Sequence, residues 1–221
     1  MQKQDTKRID NTIKWIVATI ILVAIIISGS FISGTFYPNI WTVEKIEAEV
    51  HKKELNQVKL LGLREPEFEY TDKTSFLLAT SKCVEYLNYT TDRLSRVPTS
   101  IIIAMAGVES GWGTSRFANE GNALFGVRTW DLKNVAHMKA KGNPDASWGV
   151  KKYKTKCQSV HDMIKILNRH PAYKEFRVER EQQLDDGKWN YRKLMVLMNA
   201  WSTNPDYHEI ILQAIVDNKL P

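Results

Sequence analysis

The sequence predicts an α+β domain, mainly α, with a small β-hairpin lobe and one long apolar helix ahead of it. Three observations carry this reading. No charged residue occurs between Trp15 and Val43. Ile101 to Val108 is apolar on nearly every side of a helix, the pattern of a buried central element. Leu124–Arg128 and Trp148–Tyr153 have strand character on either side of a polar stretch containing Gly142-Asn143-Pro144-Asp145, which suggests a hairpin with a long loop.

The N-terminal run exceeds the roughly 20 residues that cross a bilayer as a helix. A cleaved signal peptide would need a small-residue exit. Ser28-Gly29-Ser30 offers one, but the apolar stretch continues through Phe31 and Ile32. A soluble core helix of this length normally keeps a polar face. The preferred reading is an uncleaved signal anchor over residues 15–37, behind a cytoplasmic segment 1–14. Lys3, Lys7, Arg8 and Lys14 precede the span and the next basic residue is Lys45, which sets the N-terminus inside. Trp15, Phe36, Tyr37 and Trp41 suit the two interfaces. The expectation is a single-pass inner-membrane protein whose remainder occupies the periplasm or cell-wall space.

With 221 residues the chain holds one ordinary domain and a tail. Four of 31 basic and two of 25 acidic residues precede the span, leaving 27 against 23 outside. A surplus of about +4 is compatible with an anionic polymer, and equally with an ordinary soluble surface. It is too weak for nucleic acid, and no nucleic-acid motif accompanies it. The five His residues are scattered without metal-ligand spacing, so neither metal nor cofactor is expected. A monomer is the expected state. Cys83 and Cys157, 74 positions apart, either pair in an oxidising exterior or leave Cys83 as a small buried hydrophobe; spacing does not decide.

Residues 38–73 are polar and charged, from Glu44 through Glu54 especially, and read as a solvated stalk. The globular domain spans 74–221. Thr74 or Ser75 caps a helix running to about Arg93. Pro98 fixes the start of the next helix at Thr99, which ends at Gly111 and Gly113. Beyond the hairpin, helical patterns run over Ser159–Asn168, Asn190–Ala200 and Pro205–Asn218, with Asp162 and Asp206 near first turns. A helical lobe and a β lobe leave a cleft in which an extended polymer can lie.

Glu109 closes the apolar helix where it meets a glycine-rich loop. Desolvation by the helix and the negative end of its dipole both favour a protonated carboxyl, as a general acid requires. A helix-capping role, or an ion pair with Arg116, is the competing structural reading. Ser110 is not a convincing nucleophile, because Val108 stands where a nucleophile elbow has glycine and no His is placed as its base.

The stretch from Val97-Pro98-Thr99-Ser100-Ile101 through Ala106-Gly107-Val108-Glu109-Ser110-Gly111-Trp112-Gly113-Thr114-Ser115-Arg116, then Asn122-Ala123-Leu124-Phe125-Gly126, resembles the glucosaminidase family of bacterial peptidoglycan hydrolases. Within that family the chain resembles the Bax-like branch, with its endo-beta-N-acetylglucosaminidase domain. His170-Pro171-Ala172-Tyr173 and Trp201-Ser202-Thr203-Asn204-Pro205-Asp206-Tyr207 are similar to the family's two later signatures, so the resemblance spans about residues 75–219. Asn204 stands where many relatives have Asp, and Trp201-Ser202 where Tyr-Ala or Tyr-Ser is common. The resemblance implies a lysozyme-like fold with Glu109 as proton donor. The implied bond is the β-1,4 linkage between N-acetylglucosamine and N-acetylmuramic acid, cut on the reducing side of N-acetylglucosamine. It also implies a place for Tyr207 beside the cleft.

A second carboxylate would stand roughly 6.5–9.5 Å from the first for inversion, or about 5–5.5 Å for a covalent retaining route. Glu120, Asp131 and Asp145 are candidates, Asp145 foremost because a mobile loop could close it over substrate. If none reaches, the substrate's 2-acetamido group can act as nucleophile with Glu109 alone. Trp112, Phe125, Trp130, Trp148 and Tyr173 are expected as stacking platforms for sugar rings, with Asn122 a polar partner. Core packing is the competing reading for Trp112 and Phe125. A lytic transglycosylase or muramidase on the same scaffold, and a non-catalytic wall-binding module, are the alternative functions.

Overall fold

The computed structural model describes residues 2–36 and 62–221, with isolated positions between them. Most of the expected stalk, with Tyr37 and Trp41, lies outside the described residues. The chain divides into two compact units, Met1–Lys52 and Lys53–Pro221. In the first, helix α1 runs Gln2–Phe36. Its segment Ile13–Phe31, 19 residues of mean hydropathy 2.2, is long and apolar enough to cross a membrane. The Thr19 hydroxyl donates to the Trp15 carbonyl at 2.9 Å, which satisfies that polar group inside the helix.

The second unit begins its packing earlier than the sequence suggested. Phe68 and Tyr70 meet Phe76 edge-to-face at 5.9 and 5.2 Å and lie against the core, and the Tyr70 hydroxyl donates to the Gly113 carbonyl at 2.8 Å. Residues just ahead of position 73 are therefore domain, not stalk. Helix α2 spans Lys73–Thr90. Its cap is Asp72 rather than Thr74 or Ser75: the carboxylate accepts from Ser75 N at 2.8 Å, and Ser75 Oγ accepts from Asp72 N at 3.0 Å. That reciprocal pair satisfies two otherwise orphaned donors. α2 ends at Thr90, and a separate 3-10 turn, Arg93–Ser95, follows under an Asp92 cap.

Helix α3, Thr99–Ser110, is the axis of the domain. Ile101 to Gly107 are buried without interruption, with α2 on one side and the C-terminal helix α8, Tyr207–Asp217, on another. Gly111, at φ 60°, closes it in a left-handed turn in which Trp112 N donates to the Gly107 carbonyl at 2.7 Å. The Trp112 ring folds back over Gly107, where a Cβ would overlap it. Gly107→Ala is therefore expected to cost about 1–3 kcal/mol, read as a lowered denaturation midpoint, because ring or helix must shift in a packed interior.

A short helix α4, Arg116–Gly121, capped by Ser115, leads into the small lobe. Its sheet has three strands, not two: β1 Arg128–Thr129, β2 His137–Met138 and β3 Gly149–Lys151, in the antiparallel order β1-β3-β2. Arg128 pairs with Val150 and His137 with Lys151. Leu124 and Phe125, expected as strand, are buried core residues ahead of it. Helix α5, Lys156–Arg169, returns to the helical lobe, and a disulfide ties its Cys157 to Cys83 of α2 with 5.7 Å between Cα atoms.

A 3-10 turn at Pro171–Tyr173 precedes α6, Lys174–Asp186, which the sequence reading missed. Its buried face is Phe176, Glu179, Arg180 and Gln183, helical in spacing but mostly polar. Arg180 is 2 % exposed and donates to Asn168 Oδ1 at 2.5 Å. Burial pulls its pKa down to about 10, so it stays charged at neutral pH. Helix α7, Tyr191–Val196, and a 3-10 turn at Asn199–Trp201 divide the single helix expected from Asn190 to Ala200.

Candidate active site

The last turn of α3 projects Glu109 into a cleft of about 550 Å³ between the helical and β lobes. The α3 helix cannot shift there without unpacking the core, and Ser110 locks the turn beyond it. Ser110 is buried, donating to Ala106 O at 2.5 Å and accepting from Gly113 N at 2.8 Å. Those bonds occupy its hydroxyl in fold, not chemistry.

Glu109 Oε1 accepts two hydrogen bonds, from the Tyr207 hydroxyl at 2.7 Å and from Trp201 Nε1 at 3.0 Å. Tyr207 opens α8 and is 8 % exposed. Burial, then the charge and hydrogen bond of Glu109, push its phenol far above the usual range, so it remains a donor throughout the physiological pH span. Trp201 ends the 3-10 turn before α8 and meets Phe125 edge-to-face at 6.4 Å. Glu109 itself is exposed to the cleft. It neither caps α3 nor pairs with Arg116, which bonds to Glu120 at 3.3 Å.

Phe125, Trp130 and Tyr173 line this cleft with Gly126, Arg128, His170 and Ser202. Trp130 is 67 % exposed at the β-lobe rim. Trp112, Trp148 and Asn122 are elsewhere. Trp112 packs on Gly107 with Lys73 Nζ 4.1 Å from its ring centre. Trp148 lies beneath the Arg128 guanidinium, also at 4.1 Å. Asn122 closes α4 at φ 52°, donates to the Tyr153 and Lys154 carbonyls at 3.1 and 3.0 Å, and accepts from Lys156.

None of the proposed second carboxylates lines the cleft. Asp145 is an exposed turn residue between the Ala140–Asn143 bridge and β3. Asp131 accepts from Asn134 N and Nδ2 at 3.1 Å and shapes its own turn. Among the described residues, Glu109 is the one carboxylate in the lining. No cluster of three or more metal-ligating side chains occurs among the described residues. Trp201, Arg128 and His170 join the lining without having been expected there from the sequence. Trp201 was findable, since it belongs to the same late signature as Tyr207.

A family model described as mannosyl-glycoprotein endo-beta-N-acetylglucosaminidase, the glucosaminidase domain, matches residues 89–220. Protein Bax of Escherichia coli K12 is 37 % identical over 93 residues, which are 41 % of this chain and 31 % of that protein. The match thus spans about a third of that relative's length. The catalytic domain of the autolysin Auto from Listeria monocytogenes has a similar fold, with TM-score 0.51 and 18 % identity over 76 % of this chain and 94 % of that one. A type VI secretion effector–immunity structure from Pseudomonas protegens aligns more loosely, with TM-score 0.40, 17 % identity, and 64 % and 90 % of the two chains. With its model covering more than half of the sequence, the chain belongs to the glucosaminidase family of glycoside hydrolases.

Proposed function

We propose that this protein is a membrane-anchored peptidoglycan hydrolase that cuts the β-1,4 bond between N-acetylglucosamine and N-acetylmuramic acid. The cut leaves N-acetylglucosamine at the new reducing end. The observation that carries this reading is Glu109, the one carboxylate among the described residues that line an open cleft, held by two donors at the end of a buried helix. The apolar span Ile13–Phe31 supports an anchor with the N-terminus in the cytoplasm and the catalytic unit outside.

Because Tyr207 and Trp201 both donate to Oε1, the acid proton belongs on Oε2. From there it passes to the glycosidic oxygen as the bond from that oxygen to C1 breaks. With no second carboxylate among the described lining residues, the substrate's 2-acetamido oxygen bonds to C1 from the opposite face and forms a cyclic oxazolinium ion. Water then opens that ring at C1, giving its proton to the Glu109 carboxylate. The product keeps the β configuration. Substrate bound over Glu109 excludes water from the carboxyl and the scissile bond. Trp130, exposed at the cleft rim, offers an apolar face to a pyranose ring, while Phe125 and Tyr173, both buried, form the packed wall behind the cleft.

Proton NMR of freshly released reducing ends tests the route. β-Anomers first, relaxing to the mixture, support the acetamido mechanism; α-anomers would require an inverting base. Tyr207→Phe is expected to lower kcat about 10- to 100-fold with little change in KM, since it removes one hydrogen bond to a charged group that must be aimed. Counting new reducing ends over time reads this out. The same single-acid cleft suits a lytic transglycosylase, whose 1,6-anhydro products carry no reducing end and identify themselves.

A further inference from the structure

The small lobe is strongly cationic. Residues 116–156 hold nine Lys and Arg against three Asp and Glu, a surplus of six that equals the formal net charge of the whole chain. Several of these charges serve the fold. Arg116 binds Glu120, Lys151 binds Asp162 at 2.9 Å, Lys139 donates to the carbonyls of Ala146 and Trp148, and Lys156 donates to Asn122 Oδ1 at 3.2 Å. Arg128 is different. It lies on β1, lines the cleft and is exposed, and its guanidinium is seated on the Trp148 ring at 4.1 Å. No carboxylate pairs with it among the described residues. Stacking leaves the guanidinium edge and its N–H fork open, the geometry that takes a carboxylate in two parallel hydrogen bonds.

We propose that Arg128 is a specificity-determining residue that binds a carboxylate carried by the N-acetylmuramyl unit of the strand. This rests on the peptidoglycan reading above and adds to it the feature that separates this substrate from an uncharged N-acetylglucosamine polymer. Two sources offer the same chemistry: the stem peptide's own carboxylates, or the lactyl carboxylate that is freed when the peptide is removed. Trp148, expected from the sequence as a sugar platform, acts here as the seat that fixes Arg128. The remaining lysines of the lobe raise the local concentration of the anionic strand.

The experiment uses the full-length chain in mild detergent and measures both binding and cleavage. Binding is followed by co-sedimentation of the Glu109→Gln protein, alone and with Arg128→Gln or Arg128→Lys. The polymers are stem-bearing peptidoglycan, peptidoglycan stripped by an amidase, and chitin as the uncharged strand. Arg128→Gln is expected to weaken binding about 10- to 100-fold on a carboxylate-bearing polymer and to leave chitin binding unchanged. Arg128→Lys restores part of the loss, and added salt shrinks the difference. Loss on stem-bearing material alone assigns the stem carboxylate; loss on stripped material assigns the lactyl one. Equal loss on chitin, or no loss on any polymer, overturns the proposal. Because this readout needs no turnover, a wild-type protein that binds through Arg128 but never cleaves would sink the hydrolase reading and leave this one standing.

Discussion

Glu109→Gln is expected to lower turnover on purified peptidoglycan by roughly a thousandfold while leaving strand binding in place. The substitution is close to isosteric, and the Gln amide oxygen can accept the same bonds from Tyr207 and Trp201. What disappears is the proton on the second oxygen, which an amide cannot give to a leaving group at neutral pH. The α3 turn that carries residue 109 is held by its own backbone bonds, by Ser110 and by the Trp112 ring, none of which involves the carboxyl. Release of soluble fragments from labelled sacculi measures the rate, and co-sedimentation measures the binding. Activity within tenfold of wild type would remove Glu109 from the reaction.

Replacing both cysteines, as Cys83→Ala with Cys157→Ala, is expected to destabilise the globular unit by about 4 kcal/mol. The bridge closes a loop across a separation of 74 residues, and chain-entropy arguments give that magnitude for a loop of this size. For a unit of this length the melting midpoint should fall on the order of 10 °C. Both sulfurs are buried between α2 and α5, so the alanines also leave small voids. Treating the wild-type protein with reductant separates the two effects, since it breaks the link and keeps the volume. A midpoint that moves by less than about 2 °C under either treatment would show that the bridge contributes little.

Where an element buries hydrocarbon, its pattern in the sequence located it. α3 was legible because seven consecutive buried positions leave no polar side to misread, and Pro98 and Gly111 mark its limits by backbone chemistry alone. α6 was not, because Glu179, Arg180 and Gln183 occupy its buried face and are compensated by partners distant in sequence: Lys193 for Glu179, Asn168 for Arg180, Asn190 for Gln183. β2 escaped because a two-residue strand carries no alternation, and only its pairing with β3 reveals it. In the site, Glu109 stood out by its place at a helix end, and the family resemblance pointed to Tyr207. Aromatic residues were the weak point. Trp112, Trp148 and Trp130 look alike in sequence, yet they serve as a helix cover, a guanidinium seat and a cleft wall. Which role each takes depends on contacts across the fold that local spacing does not encode.

The chemistry of the newly formed chain ends distinguishes a glucosaminidase from every other wall hydrolase on this scaffold. Peptidoglycan is digested with wild-type protein and with Glu109→Gln, reduced with borohydride, and the fragments are identified by mass spectrometry. Reduced N-acetylglucosamine ends are expected from the wild type and almost none from the variant. Reduced N-acetylmuramic acid ends, 1,6-anhydro ends, or wild-type products that persist in the variant would rule out glucosaminidase cleavage by Glu109.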